Sequence, residues 1–422
     1  MTFNTALSGI QAANDFLNVA SNNIANSSTT GFKLSRAEFV DVVPASALGT
    51  ASNVVGTGVR LSNISQQFTQ GNISFTENNL DLAISGQGFF VLNDNGTSVY
   101  SRAGAFGVDR NGFIVNSDNQ RLTGFQADSD GNISGATGDI AVSTANLSPQ
   151  ATSTASITAN LDSRDAAPVA AWVGTPTFGG APPAPNTYND ATSVTIFDSL
   201  GNSHVLTTYY IKTSTANQWE TRFQIDGVDV DASPTATPFT QVFNADGTFN
   251  AGSSEAITLS WPPLDSAGNP NGATTPQAVS IDLSASTQFG SAFSVQALTQ
   301  NGFTTGRLNN IEIGDTGILF GRYTNGESLA LGQIVLANFS NVQGLQPLGD
   351  SVWGETFNSG QPLIGEPGTG SLGLIQSGAR EESNVDLTAA LVDLITGQRN
   401  FQANAQVIRT LDTVTQSIIN IR

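Results

Sequence analysis

The sequence predicts a mixed α and β chain of several domains, with a helix at each end and antiparallel sheets between them. Apolar residues recur at helical spacing in residues 1–26 and 384–422. The middle of the chain carries short apolar runs broken by Asn-Gly and Asp-Gly pairs, which is the pattern of β-hairpins. With 422 residues, the chain is long enough for two or three domains, each with its own core.

Residues 1–26 are predicted to form a helix with one apolar stripe. The stripe advances by steps of 4, 3, 7 and 7 residues, which is typical of a heptad seam. Small polar residues, Asn14 and Ser21, stand at the skipped positions. The members of this N-terminal stripe are Phe3, Leu7, Ile10, Leu17 and Ile24.

Residues 384–422 repeat this design. Their stripe advances by steps of 4, 3, 7, 7, 3 and 7 residues. Ser383 and Asp386 are spaced as in a capping box and predict where the helix starts. A helix of this length would measure roughly 55 Å. The members of this C-terminal stripe are Leu387, Leu391, Leu394, Phe401, Ile408, Leu411 and Ile418.

Two interpretations of the stripes are open. Both helices could pack only on the core of their own chain. Alternatively, the helices pair with each other as a coiled-coil-like core domain, and the apolar area that one pair leaves uncovered binds other copies of the chain. Gly9 and Gly397 favour close helix approach, since a glycine in a helix interior costs about 1 kcal/mol.

The middle of the chain is predicted to form two mainly antiparallel β domains, one inserted into the other. Turns at Asn95-Gly96, Asn111-Gly112 and Asp226-Gly227 each join two apolar runs. The proline-rich residues 162–190 are predicted to lie in loops or at sheet edges, because proline cannot donate to a β ladder. A second stretch rich in proline and glycine covers residues 262–276.

The composition excludes several classes of protein. The net charge of −19 argues against binding to nucleic acid, because no basic patch can displace counterions from phosphates. The absence of cysteine excludes disulfides and thiolate chemistry. No run of about 18 apolar residues predicts insertion into a membrane. The first residues lack the pattern of a cleaved secretory signal, so any export is expected to use another route.

No arrangement of residues predicts an enzyme, a metal site or a cofactor. His204 is the only histidine, and we expect it to be exposed or hydrogen-bonded rather than catalytic. Residues 128–132 resemble half of a calcium loop but lack its final glutamate, so a β-turn is favoured. Gly86 and Gly88 begin a Gly-x-Gly motif that no helix follows, which argues against a dinucleotide loop.

Two long motifs at opposite ends of the chain resemble the flagellar rod, hook and hook-associated protein family. The first is SNNIANSSTTGFK at 21–33, and the second is the segment 383–422 that begins SNVDLTAAL. Residues 70–92 are similar to the inner β domain of that family. Within the family, residues 197–212, 288–308 and 332–356 are similar to stretches of the hook branch.

The resemblance implies a self-assembling subunit of a curved, flexible tube that acts as a universal joint and transmits torque from the motor's rod to the filament. The implied partners are other copies of the chain, a rod protein at the proximal end and a hook–filament junction protein at the distal end. A hook cap and the flagellar type III export apparatus would act during assembly. The implied location is the extracellular part of the bacterial flagellum.

The resemblance also implies four layers: residues 1–26 with 384–422 as the helical core, 27–70 with 357–383 as a linking layer, 71–148 with 288–356 as the inner β domain, and 149–287 as the outer one. A free subunit should then have mobile ends that trypsin cuts first at Lys33, Arg36, Arg399 and Arg409.

Two alternatives remain beside the hook subunit. One is another axial component such as the distal rod, which would form a straight, rigid tube. The other is a secreted β-rich adhesin or hydrolase, which should stay monomeric and keep its function without the terminal helices.

Overall fold

The computed structural model describes residues 2–43, 56–143, 145–175, 177–230, 239–250 and 256–420. The chain forms two compact units. The first unit contains Met1–Thr144, Asn310–Arg322 and Ser328–Arg422, and the second contains Ala145–Asn309 and Tyr323–Glu327. Both chain ends therefore belong to the first unit.

The described residues form two α-helices and 29 strands. In chain order these are α1 (Thr2–Ala25), β1 (Ser35–Val42), β2 (Gly58–Gln66), β3 (Ile73–Phe75), β4 (Leu82–Ser85), β5 (Phe89–Asp94), β6 (Thr97–Ser101), β7 (Gly107–Val108), β8 (Ile114–Val115), β9 (Arg121–Ala127), β10 (Ile133–Asp139), β11 (Thr154–Asp162), β12 (Asp190–Phe197), β13 (Ser203–Lys212), β14 (Gln218–Ile225), β15 (Val228–Asp229), β16 (Phe239–Val242), β17 (Ala256–Trp261), β18 (Gln277–Asp282), β19 (Thr287–Phe289), β20 (Ser294–Gln300), β21 (Leu308–Ile313), β22 (Ile318–Tyr323), β23 (Ser328–Ile334), β24 (Leu336–Asn338), β25 (Gln346–Gly349), β26 (Val352–Gly354), β27 (Leu363–Gly365), β28 (Leu374–Ser377), β29 (Ala379–Glu381) and α2 (Leu387–Asn420). A short 3-10 helix, Val342–Gly344, lies between β24 and β25. The mixed class with a helix at each end is confirmed.

The two helices begin and end close to the predicted residues. The start of α2 is capped by Asp386, whose Oδ1 accepts hydrogen bonds from the backbone N–H of Thr388 at 2.8 Å and of Ala389 at 3.2 Å. The predicted capping box is therefore wrong, because Asp386 is itself the N-cap. Ser383 lies before the helix, where its hydroxyl accepts from the backbone N–H of Val385 at 3.3 Å.

In the first unit, β1 and β2 form a long antiparallel hairpin that packs along α1. A larger sheet follows, in which β22, β23, β9, β5, β6, β26 and β25 are neighbours in that order. The C-terminal strands return to the N-terminal half, since β28 pairs with β4 and β29 with β3. The core of this unit contains a cluster of aromatic rings in edge-to-face contact, among them Phe89, Phe339 and Trp353.

In the second unit, the described strands form two five-stranded sheets. One has the order β17-β18-β11-β19 with β20 beside β11, and the other the order β12-β13-β14-β15 with β16 beside β14. A single buried cluster takes Ile157 and Leu259 from the first sheet and Ile196, Leu206 and Phe223 from the second. The two sheets therefore form a sandwich around one apolar core.

The hairpins predicted from Asn95-Gly96 and Asp226-Gly227 are confirmed, whereas Asn111-Gly112 lies in a longer turn, residues 109–113, between β7 and β8. Asn95 and Gly96 have φ angles of 51° and 97°, and Asp226 and Gly227 have 50° and 78°. Such left-handed pairs are what two-residue hairpin turns require. No strand lies between residues 163 and 189 among those described, which agrees with the prediction from the prolines.

The second unit extends further than the inserted domain expected over 149–287. Strand β20 at 294–300, which was expected in the inner β domain, instead pairs with β11. The main segment of the second unit therefore runs to Asn309, beyond residue 287, and Tyr323–Glu327 also belongs to this unit. Pairing between strands far apart in sequence set this boundary, and a turn-based prediction does not detect such pairing.

Candidate assembly surface

The helices α1 and α2 pack against each other in antiparallel orientation. A Cβ atom added to Gly397 would lie 2.9 Å from both Leu17 Cδ2 and Phe16 Cδ1, and one added to Gly9 would lie 2.7 Å from Asn404 Oδ1. Since residue 17 meets 397 and residue 9 meets 404, the two helices run in opposite directions. The predicted role of both glycines in close helix approach is confirmed.

Small residues form the face of α1 that the chain itself buries. Ala6, Ala13 and Ala20 recur every seven residues and are all buried, as is Ala390 on α2. Sequence reasoning missed this alanine seam, although its seven-residue spacing is visible in the sequence. The predicted stripe of large apolar residues lies on the neighbouring faces of α1.

The large residues of both predicted stripes are incompletely covered. The half-buried ones are Ile10, Leu17, Ile24, Leu394, Ile408 and Leu411. The exposed ones are Phe3, Leu7, Leu387, Leu391 and Phe401. The side chain of Ile418 lies outside the described residues. None of the described stripe residues is buried, so the chain's own core covers them only in part.

Helix α2 exposes further apolar residues that the heptad pattern did not select. They are Val392, Ile395, Val407, Val414 and Ile419, with exposed fractions between 45% and 66%. An exposed apolar surface of this kind is typical of an interaction site. Helix α2 has 34 residues against 24 in α1, so α1 is too short to cover its whole length.

Two asparagines join the helices to the β1–β2 hairpin of the first unit. Asn23 of α1 is buried and makes two hydrogen bonds with the backbone of Ser35, accepting from its N–H at 2.9 Å and donating to its carbonyl at 2.8 Å. Asn384, just before α2, accepts from the backbone N–H of Leu34 at 2.7 Å and donates to the carbonyl of Gln67 at 2.7 Å. Both asparagines therefore clamp the ends of the β1–β2 hairpin.

A buried ion cluster lies next to these clamps. Glu381 Oε1 accepts from Lys33 Nζ at 2.6 Å, and its Oε2 accepts from Arg102 at 3.2 Å. The backbone N–H of Gly71 also donates to Glu381 Oε1, at 2.8 Å. The side chains of Lys33 and Glu381 are fully buried. Burial lowers the pKa of Lys33 from its usual range, and the neighbouring Glu381 carboxylate opposes this shift.

The cluster joins the N-terminal motif, the C-terminal strand β29 and the sheet of the first unit. Lys33 also donates to the carbonyl of Thr69 at 2.8 Å, and the backbone N–H of Gly31 donates to the carbonyl of Glu381 at 2.8 Å. Sequence reasoning placed Lys33 among the accessible trypsin sites, which is wrong for the folded chain. A lysine followed by strand-like sequence carries no signal of the distant glutamate that pairs with it.

In the second unit, His204 is buried and hydrogen-bonded. The sequence predicted that it would be either exposed or hydrogen-bonded. Its Nδ1 lies 2.6 Å from Asp226 Oδ2, and its Nε2 lies 3.4 Å from Asp198 Oδ2. Burial lowers the pKa of His204, but the hydrogen bonds and charges of Asp226 and Asp198 outweigh this and raise it above 6.5. Both ring nitrogens face carboxylates, an arrangement that favours the protonated imidazole in a structural role.

The calcium-like segment is a turn between β9 and β10. Asp128 Oδ1 accepts from the backbone N–H of Asp130 at 2.9 Å and of Asn132 at 2.8 Å, so the carboxylate binds its own backbone. Within the described part of the chain, no group of three or more His, Asp or Glu residues could hold a metal ion. None of the described helices is long and apolar enough to cross a membrane.

Family models of flagellar proteins match most of the chain. Their descriptions and residues are "Flagella basal body rod protein" at 3–33, "Flagellar hook protein FlgE/F/G D1 domain" at 83–160, "Flagellar basal body protein FlaE D2 domain" at 160–303 and "Flagellar basal body rod FlgEFG protein C-terminal" at 376–421.

Curated relatives match over the full length. The flagellar hook protein FlgE of Escherichia coli (strain K12) is 40% identical, with 100% of each chain covered. That of Salmonella typhimurium is 38% identical over 100% of each chain, and that of Borreliella burgdorferi is 32% identical over 99% of this chain and 98% of the other. The crystal structure of Helicobacter pylori flagellar hook protein FlgE2 has a TM-score of 0.53 at 14% identity, over 73% of this chain and 99% of that one, and supports the fold.

Proposed function

Because the chain belongs to the flagellar hook protein family, we propose that it is a self-assembling structural subunit of a curved, flexible tube, the flagellar hook. The tube acts as a universal joint and transmits motor torque from rod to filament. The chain is a structural protein and not an enzyme. The observation that supports self-assembly is the apolar surface of α1 and α2, which the chain holds in a fixed place and leaves uncovered.

The physical argument combines rigidity with incomplete burial. Asn23, Asn384 and the Glu381 cluster fix where the helices join the strands of the first unit. The exposed face of α2 gains free energy only when another surface covers it, at roughly 25 cal/mol per Å² of apolar area. Other copies of the same chain offer the matching apolar faces. Repetition of one such contact between different faces of identical subunits builds a helical polymer.

The partners and location implied by the resemblance belong to this proposal. The subunit meets a rod protein at the proximal end of the tube and a hook–filament junction protein at the distal end. It is exported without a cleaved signal by the flagellar type III apparatus and added beneath a hook cap, outside the cell. The four-layer arrangement, with the terminal helices innermost and the inserted domain outermost, is likewise proposed.

A distal rod subunit is the nearer alternative, because family models of rod proteins match both ends of the chain. Full-length similarity to hook proteins favours the hook. Electron micrographs of the polymer distinguish the two, since a hook is curved and a rod is straight. No described residue favours the adhesin or hydrolase.

The first prediction tests the exposed face of α2. Leu391 is 45% exposed, so Leu391→Asp should leave the subunit folded. In the polymer the new carboxylate would be buried without a partner, which costs several kcal/mol. We expect Leu391→Asp to abolish polymerisation, as we also expect of Leu394→Asp, while the circular dichroism spectrum stays unchanged. Sedimentation measures the polymer.

Gln406→Asp is the matched control, because Gln406 is an exposed polar residue of the same helix. The Gln406→Asp variant should polymerise at the same critical concentration as the wild-type chain. Normal tubes from Leu391→Asp would contradict the assignment of this face to the assembly surface.

A further inference from the structure

A tight turn at residues 356–359 is held by its own hydrogen bonds. The Thr356 backbone N–H donates to Ser359 Oγ at 2.9 Å, and that hydroxyl donates back to the Thr356 carbonyl at 2.8 Å. The backbone N–H of Asn358 donates to Thr356 Oγ1 at 3.1 Å. Ser359 is completely buried. The turn therefore has a single well-defined conformation.

Neighbouring residues fix the turn to the first unit. Thr356 Oγ1 donates to the carbonyl of Gly344 at 2.6 Å. Asn341 donates from its side chain to the Asn358 carbonyl at 3.0 Å, and from its backbone to the Ser359 carbonyl at 3.3 Å. Both Asn341 and Gly344 belong to the 3-10 helix and its cap. Any movement of the turn away from the 3-10 helix would break these hydrogen bonds.

Phe357 stands at the tip of this turn and is 101% exposed. An aromatic ring in water forgoes the burial that stabilises most phenylalanines. The hydrogen bonds of the turn fix the backbone that presents this exposed ring. A rigid, bare aromatic residue is the type of side chain that dominates binding at protein interfaces, because little entropy is lost when it is covered.

We propose that Phe357 is an anchor residue that binds a second copy of this chain during assembly. The proposal rests on the proposed function and adds a contact outside the terminal helices. The turn is continuous with the assembly surface: Gln343, in the 3-10 helix that holds the turn, donates to the carbonyl of Gln66 at 2.6 Å. Gln66 ends β2, which packs on α1. The turn is therefore linked to α1 through the 3-10 helix and strand β2.

Nearby exposed residues extend the apolar character of this region. Leu363 on β27 is 65% exposed, and Ile364 beside it is 46% exposed. Strand β27 pairs with β24, the strand that precedes Asn341 and the 3-10 helix. Exposed aliphatic side chains on a strand of the same unit add apolar area to a contact that an exposed ring could centre.

The test compares Phe357→Ala with Val169→Ala. Val169 is equally exposed, at 101%, but lies in the second unit, so its variant controls for loss of exposed apolar surface. We expect Phe357→Ala to raise the critical concentration for polymerisation at least about tenfold, as for an interface anchor. Val169→Ala should leave it unchanged. Sedimentation measures the critical concentration, and circular dichroism of the monomers checks that both variants fold.

A second measurement identifies what Phe357 contacts. A photo-crosslinking phenylalanine analogue is placed at position 357, and the assembled polymer is irradiated. Crosslinks between two copies of the chain support the proposal, whereas crosslinks confined to one chain, or none, overturn it. If Phe357→Ala polymerises at the same critical concentration as the wild-type chain, the anchor role of Phe357 is overturned and the proposed function is not affected. If the wild-type chain forms no tubes, the proposed function fails and the anchor with it.

Discussion

At the scale of single residues, Glu381 connects parts of the chain that are far apart in sequence. Its carboxylate forms ion pairs with Lys33 and Arg102, and both cations are buried with it. A buried ion pair adds little compared with a well-packed apolar replacement, but removal of one partner leaves an uncompensated charge. Loss of Glu381 would leave two such charges.

We expect Glu381→Gln to lower the free energy of unfolding of the first unit by about 3–5 kcal/mol, because Lys33 and Arg102 lose their counter-charge. Denaturant unfolding of the monomer measures this. Glu382→Gln is the control, since Glu382 is exposed and accepts one long hydrogen bond, from Asn72 at 3.3 Å. Equal effects of the two variants would show that the cluster does not stabilise the chain.

The second unit should become less stable as the pH rises through the pKa of His204. The folded pKa lies above the ordinary value of 6.5, so the ion pairs with Asp226 and Asp198 contribute fully below about 6.5 and are lost as the pH rises through the folded pKa. The pKa of Asp198 is lowered by its hydrogen bonds despite burial, so its contribution is lost only in acid.

Denaturant unfolding followed by tryptophan fluorescence measures this effect, because Trp219 and Trp261 are buried in the second unit. We expect a lower unfolding midpoint at about pH 9 than at about pH 5.5, and a much smaller difference in His204→Gln. A wild-type midpoint that does not change between these values would exclude the charged histidine.

At the scale of elements, the periodicity of the ends predicted both helices and their apolar stripes. It did not predict which face the other helix covers. The buried apolar positions are small, namely Ala6, Ala13 and Ala20 on α1 and Ala390 and Gly397 on α2, and such residues have little weight in a search for large apolar ones. Periodicity identifies what is apolar, whereas the partner of each face is decided by packing between segments nearly 400 residues apart. The same limit hid the pairing of Lys33 with Glu381.

Limited trypsin digestion of the monomer tests the revised account of the chain ends. Arg399 and Arg409 are exposed on α2 and should be cut first. Lys33 should be spared, because its side chain is fully buried in an ion pair. In Glu381→Gln, Lys33 should become a cleavage site. Early cleavage after Lys33 in the wild-type monomer would contradict the cluster's role as a clamp.

At the scale of the whole molecule, motifs at the two ends identified the family, and hairpin signals identified the β domains. The boundary of the second unit could not be predicted, because it depends on β20 pairing with β11 more than 130 residues away. The structure also shows where the chain enters and leaves this unit. Leu147 and Gly306 are hydrogen-bonded neighbours, with N–H to carbonyl distances of 2.7 and 3.3 Å.

The adjacency of Leu147 and Gly306 allows residues 148–305 to be replaced by a short Gly/Ser linker. Assembly through the terminal helices does not require the removed residues. If the inserted unit sets curvature at large radius, its loss should give straight or irregular tubes and poor motility. A chain that ends at residue 386, and so lacks α2, is the counterpart and should form no tubes.

Electron microscopy of these two truncated chains under polymerising conditions tests the central claim that the terminal helices carry assembly. The account predicts tubes from the chain without 148–305 and none from the chain without α2, although both remain folded by circular dichroism. Tubes from the chain without α2, or their absence from the folded chain without 148–305, would contradict it.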